Sequence, residues 1–348
     1  TFLIFIELFL RFIGYGFDTR LFVKPKYIDE IYIENASFLN KYNPKVNWLS
    51  GDLTQMLIRN VFTAEKNENT LRGFVIGGSS AQGFPYESNQ SFSKITELAL
   101  KQSGKYDNVE LLNLGATAMS SYYIKDTAKK LLNYQPDFIV IYGGHNEYYG
   151  TISHTTGGNY YTKNLYLLLK ESKIFQFIFG LLDSNNVSTN NGDGTLMTEQ
   201  FNNKKVFQDE AIDEKVAEDF IRNIDEIVNR YSSKNIPVII VEPVSNLYDM
   251  PPFSGENDEH LQDFIKKYHA VILENDKAKI REIYNERLKD SKYHNNANIK
   301  YLDALSKSIL EKGSSIDSFI EAKDLDAIPF RARSPLINKL KDYCSEKS

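Results

Sequence analysis

Three short stretches of this chain gather residue types that suit acyl chemistry. The first is Gly77-Gly78-Ser79-Ser80-Ala81-Gln82-Gly83, which follows the apolar run Arg72–Gly77. Gly78 and Gly83 have the spacing of a phosphate-cradling loop, but Phe84 stands where that loop needs a lysine, and no G-x-G-x-x-G signature is present. The remaining functional reading is a serine nucleophile, Ser79, at a strand-to-helix turn. Small residues let the chain turn tightly, and the N–H groups that open a helix can hold an oxyanion. A plain Gly-Ser turn has the same composition. The second stretch is Asn113-Leu114-Gly115-Ala116-Thr117-Ala118. Gly115 lets the backbone approach a ligand and offers an N–H, although a routine turn also uses glycine. The third is Gly143-Gly144-His145-Asn146-Glu147-Tyr148-Tyr149-Gly150. The Asn146 carboxamide is a neutral donor suited to a developing oxyanion. His145 reads first as a satisfied loop histidine. Glu147 reads as a loop cap or a substrate contact.

These stretches each follow a short apolar run, and the runs alternate with helical spacing. Arg72–Gly77, Val109–Leu114, Phe138–Tyr142 and Val238–Val241 read as strands, with Ile299–Leu302 as a fifth. Helical patterns cover 91–105, 122–133, 163–182, 211–233, 259–288 (one helix or two) and 339–344. Alternation of this kind predicts a parallel sheet covered on both faces. In such sheets ligands bind at the carboxyl ends of the strands, where all three stretches would lie. Residues 14–70 show no strong period, and 183–204 read as a polar loop. No domain boundary stands out after residue 70.

The order Ser, Gly, Asn at three successive strand ends resembles the SGNH (GDSL-type) hydrolase superfamily. The serine block resembles Gly77-Gly78-Ser79 with Gly83, Gly78 replacing the usual Asp. The glycine block falls on Gly115. The Gly-x-Asn-Asp block resembles Gly144-His145-Asn146-Glu147, with Glu for the last Asp. The strings GGSSAQGFPY, NLGATAMSSY and GGHNEYYG, with PVSNLYDMPPF (243–253) and DAIPFR (326–331), resemble a membrane-anchored bacterial subgroup. The resemblance implies a three-layer α/β/α sandwich on a parallel, flavodoxin-like sheet. It implies a serine esterase with Ser79 as nucleophile and an oxyanion hole of the Ser79 N–H, the Gly115 N–H and the Asn146 side chain. No cofactor follows from it. His145, Glu147 and Tyr149 are the nearby candidates for substrate contact, and Tyr148, Tyr160 and Tyr161 are further aromatic candidates.

The superfamily's late Asp-x-x-His block is missing. The five histidines are His145, His154, His260, His269 and His294, and the residues three positions before them are Tyr142, Thr151, Asn257, Lys266 and Ser291. A fragment cut before its catalytic histidine accounts for this, as does an inactive homologue. Serine without a base is a weak nucleophile, so the chain on its own is expected to be close to inactive. Three functions stay open: hydrolysis of acyl esters, with O-acetyl groups first; acyl transfer onto a cell-envelope polysaccharide; and glycan binding without catalysis.

The remaining composition sets the frame. The 348 residues carry 41 Lys plus Arg and 46 Asp plus Glu, a net charge of −5, which gives no reason to expect nucleic acid as a partner. The single cysteine, Cys344, excludes an intrachain disulfide, and no Cys/His spacing suggests a metal. The start, TFLIFIELFLRFIGYG, is apolar but shorter than the ~20 residues of a membrane span. It reads as the exit end of an anchor over 1–16 or as a short amphipathic helix with a Glu7–Arg11 pair. The expected organisation is that segment, an irregular arm over 17–70, and one α/β domain over 71–348. The domain carries a lid-like insertion over 151–207 and is expected to stand outside the cytoplasm, tethered to a membrane.

Overall fold

A computed structural model describes residues 2–42, 60–184, 205–311 and 315–347. The chain divides into two compact units. The first is Thr1–Glu199 with Arg222–Val241, and the second is Gln200–Ile221 with Glu242–Ser348.

The first unit is built on a parallel four-stranded sheet of β4 (Thr70–Gly77), β5 (Asn108–Gly115), β6 (Phe138–Tyr142) and β7 (Val238–Val241), in the order β5-β4-β6-β7. The middle strands are apolar because both faces are covered: Phe74, Val75, Ile76, Ile139 and Ile141 are all buried. On one face, Val75, Leu111 and Val140 pack with Ala81 of α2 (Ser79–Gln82). Alternate residues point to the opposite face, where α4 (Ser121–Leu131) buries Tyr123, Ile124 and Leu131. Helix α3 (Phe92–Gln102) completes the layer beside β5. The expected α/β architecture is therefore present, with helices flanking a parallel sheet. Its register sets the site: Gly77 pairs with both Gly115 and Tyr142, so β4, β5 and β6 end level.

The arm read as irregular contains a small antiparallel sheet, β1 (Phe22–Val23), β2 (Ile31–Glu34) and β3 (Val61–Thr63). Its strands are too short to show a period, and tertiary contacts hold them. Phe22 and Phe62 meet edge-on at 4.8 Å, and both lie beside Phe74. Buried Arg72 joins this sheet to the main one. It pairs with Glu110 at 2.6 Å, donates to the Thr63 carbonyl at 2.9 Å, and lies 4.9 Å from the Phe62 ring centre.

The N-terminal residues form helix α1 (Phe2–Phe12). The run expected over 163–182 breaks into α5 (Tyr160–Leu169) and α6 (Lys173–Ser184). Glu7 of α1 accepts from Lys173 N–H at 3.0 Å, Ile174 N–H at 3.0 Å and the Ser172 hydroxyl at 2.7 Å, so it caps α6 across the chain. It also forms the expected pair with Arg11 at 2.7 Å. Phe2, Leu3, Ile4, Phe5, Leu8, Phe9 and Phe12 are 52% to 90% exposed. Among the described residues no helix is long and apolar enough to cross a membrane. Residues 185–204, most of the expected loop and part of the expected lid, lie outside the described residues.

Helix α7 (Glu210–Ser232) contributes to both units, because the division falls between Ile221 and Arg222. The second unit is otherwise helical. The 259–288 pattern resolves into α8 (Asp258–Leu273) and α9 (Lys277–Arg287). The break is at Asn275, with φ +54°, and Asp276 accepts from the Ala278 and Lys279 N–H groups to restart the helix. The expected fifth strand at Ile299–Leu302 is instead part of α10 (Ala297–Glu311). A four-residue apolar run carries too few turns to separate strand from helix. Here Asn296 accepts from Ile299 N–H at 2.9 Å and starts a helix, which buries Ile299 and Leu302. Helices α11 (Ile316–Asp324) and α12 (Ser334–Lys347) close the chain. The DAIPFR segment is structural within this unit: Asp326 accepts from Phe253 N–H at 3.0 Å and Ser254 N–H at 3.1 Å, and Arg331 donates to the Met250 carbonyl at 2.6 Å.

Candidate active site

Ser79 is the first residue of α2, immediately after β4 and Gly78. Its side chain is half-buried, and no described residue hydrogen-bonds to its Oγ. The opening N–H groups of a helix have no intrahelical acceptor and point outward from its start. Gly78 meets Asn146 closely: a Cβ there would lie 2.4 Å from Asn146 Nδ2. The Asn146 carboxamide therefore sits against the residue that precedes the serine. It is buried and donates to the Met119 carbonyl at 3.0 Å. The structure thus brings the Ser79 turn and Asn146 together.

Gly115 ends β5 beside this turn, and its surroundings differ from the expected free donor. Its N–H donates to Asn113 Oδ1 at 2.8 Å. It is glycine for steric reasons, since a Cβ would lie 2.2 Å from Gln82 N, inside the serine helix. Asn113 uses its other end as well. Nδ2 donates to the Ala81 carbonyl and to Ser93 Oγ, both at 2.8 Å. One buried side chain thereby ties the glycine turn, the serine helix and α3 together. A polar residue inside the run VELLNLG was the available signal for it, because polar groups are buried only with partners.

Ala118, three residues after Gly115, was not singled out from the sequence. It adopts φ +61°, a left-handed conformation that costs an L-residue about 1–2 kcal/mol. It is buried, and no described group accepts its N–H. Strain of this kind collects at functional sites. The turn is held by Thr151 N–H, which donates to the Ala118 carbonyl at 2.9 Å. Alanine has no sequence signature for positive φ, so nothing in the chain announced this position.

The third loop splits by role. His145 is half-buried with its ring edge-on to Tyr142 at 5.4 Å. Glu147 faces inward: its two oxygens accept from Ser121 N–H at 2.8 Å and Ser121 Oγ at 2.7 Å, which caps α4. Asn223 donates to the same Ser121 hydroxyl at 2.9 Å. The carboxylate expected near substrate is consumed by a helix start. Tyr148 and Tyr149 are 0% and 1% exposed, so neither ring offers a face to a substrate. Tyr160 and Tyr161 line a different cavity, one that does not include Ser79. His154 is tied through its backbone to the Glu147 carbonyl, and His260, His269 and His294 belong to the second unit.

No family model and no curated protein matches this chain. Solved structures similar to it include AlinE4, an SGNH-hydrolase family esterase, at 15% identity and a TM-score of 0.21. That match covers 49% of this chain and 97% of the other. Two point mutants of the same esterase match at 15% and 14% identity with the same coverage and TM-score. A likeness of this depth does not place individual residues.

Proposed function

We propose that the chain carries a serine ester hydrolase site, with Ser79 Oγ attacking an ester carbonyl to form an acyl-enzyme. The observation that carries this is the half-buried Ser79 hydroxyl, bonded to no described residue, at the first turn of a helix, with the Asn146 carboxamide packed against Gly78. In the reaction Oγ bonds to the carbonyl carbon and gives its proton to water; the tetrahedral intermediate then collapses, the bond to the alkoxy oxygen breaks, and that oxygen takes a proton back from water and leaves as an alcohol. Water then repeats the sequence and frees the acid. The oxyanion is held by the Ser79 N–H and Asn146 Nδ2. The Gly115 N–H is bonded to Asn113 and stands outside this set. The acyl group is a short one, O-acetyl first.

Loss of a base costs several orders of magnitude in rate, but oxyanion stabilisation leaves residual reactivity. The test is therefore the covalent adduct rather than turnover. The chain is incubated with p-nitrophenyl acetate, quenched in acid, digested and sequenced by mass spectrometry. An acetyl group on Ser79, absent in Ser79→Ala, is the expected result. Acetylation elsewhere with Ser79 unmodified, or no adduct at all, would overturn the reading in favour of a binding module.

The same proposal places α1 against a membrane, with the domain on the extracytoplasmic side and an acylated envelope glycan as substrate. Its support is the apolar surface of α1, since a helix that docks through Glu7 and exposes seven large apolar residues suits an interfacial position. Flotation of the chain with liposomes, lost in Phe5→Asp/Phe9→Asp, is the expected outcome. Equal flotation of the variant refutes it.

A further inference from the structure

The first unit has a cavity of about 510 Å³ between α4, α5 and α7, away from Ser79. Its size falls in the range of small-molecule pockets, ~300–1,000 Å³. Its floor is apolar and buried, formed by Ala128, Leu167, Ile227 and Tyr231. Tyr231 Oη donates to the Ala128 carbonyl at 2.8 Å and locks α7 to α4. Lys129 follows Ala128 and Arg230 precedes Tyr231, so this bond joins the two helices beside both cations, and both line the cavity.

The charges around the cavity do not cancel. Three acids line it, and each is already matched. Asp126 accepts from Lys41 Nζ at 2.7 Å and Tyr42 Oη at 2.6 Å. Glu171 accepts from Lys41 at 2.5 Å and Lys130 at 2.9 Å. Glu226 accepts from the Tyr160 hydroxyl and pairs with Lys125 at 3.4 Å. Among the described residues, Lys129 and Arg230 have no acid within ion-pair distance, and both are exposed at the rim.

We propose that this cavity binds a small amphiphile ending in a phosphate monoester, with its head between Lys129 and Arg230 and its body on the apolar floor. Two unmatched cations call for two negative charges at one point, and a phosphate monoester carries close to two at neutral pH. The guanidinium supplies a fork that fits phosphate oxygens, and the ammonium supplies a point charge. An ordinary soluble ester would use the floor but leave the cations idle. An inorganic anion would do the reverse.

The test is calorimetric titration of the chain with n-hexyl phosphate, with 1-hexanol and inorganic phosphate as the two partial probes. Hexyl phosphate is expected to saturate one site whose affinity falls as salt rises, because the head contacts are exposed. Lys129→Gln/Arg230→Gln is expected to weaken it about tenfold or more, the scale of two charge-assisted bonds at a rim. The variant's thermal midpoint should be unchanged, because neither side chain is buried. The remote pair Lys24→Gln/Lys26→Gln and the Ser79→Ala variant should bind as the parent does. Each partial probe should bind at least about tenfold more weakly than hexyl phosphate. Absence of saturable binding, equal affinity in the Lys129/Arg230 variant, or equal binding of inorganic phosphate would each overturn the proposal.

Discussion

Replacing Asn113 tests how the serine turn is held. Its side chain is 4% exposed and makes three bonds, to Gly115 N–H, the Ala81 carbonyl and Ser93 Oγ. Asn113→Ala strands the first two. Ser93 keeps the Ser91 hydroxyl at 3.0 Å. A buried polar group left without a partner costs about 1–3 kcal/mol, so two of them cost about 4 kcal/mol. That is a large part of the ~5–15 kcal/mol by which domains are stable. With a urea slope of about 3 kcal/mol per molar, the unfolding midpoint should fall by about 1.3 M. The Gly115 amide, protected by this bond in the parent, should exchange at least about tenfold faster. Acetylation of Ser79 should slow, because the Ala81 carbonyl anchors its helix to β5. A midpoint within about 0.3 M of the parent's, with Gly115 protection retained, would refute the assignment of Asn113 as the tie.

Other consequences follow from the same geometry. Asn146→Ala should cut the rate of Ser79 acetylation about 10²–10³-fold while lowering stability by only about 1 kcal/mol, since only the bond to the Met119 carbonyl is lost. Gly115→Ala puts a Cβ 2.2 Å from Gln82 N and 2.7 Å from the Ala81 carbonyl carbon. These are backbone atoms, so the serine helix must move, and a loss of about 2–3 kcal/mol in urea unfolding is expected. Glu7 gives a pH signature. Partial burial pushes its carboxyl up, but the bonds from Lys173, Ser172, Ile174 and Arg11 outweigh that and hold it at about 2, against an ordinary 4.5. A carboxyl lowered by folding stabilises the α1–α6 contact fully above its unfolded value, and that stability is lost as pH falls from about 4.5 toward 2. The thermal midpoint of Glu7→Gln should thus lie below the parent's at pH 7 and converge with it in acid. A gap that does not depend on pH would count against the cap.

What could be read from the residues alone was whatever depends on burial along a single element. Continuous apolar runs, three of the four meeting a glycine at their end, located all four parallel strands to within two residues, because a strand covered on both faces, as the middle ones are, has no polar side to show. The same runs placed Ser79 and Asn146 at strand ends. Ile299–Leu302 shows the limit of that signal, since four apolar residues suit either element and the Asn296 cap decided for helix. The β1–β3 sheet was invisible because aromatic contacts from distant residues hold it, rather than a pattern of its own.

The sequence by itself determined the parallel sheet and the serine and asparagine at the carboxyl ends of its strands. Only the tertiary structure decided which polar groups remain available there. Gly115, the expected donor, has its N–H taken by Asn113, and Glu147 is spent on Ser121. Ala118, unmarked in the sequence, is forced to φ +61° with its N–H unclaimed by any described group. The physical reason is that burial follows from a residue's own polarity and spacing. A hydrogen-bond partner is instead won in competition among groups that meet only once the chain has folded.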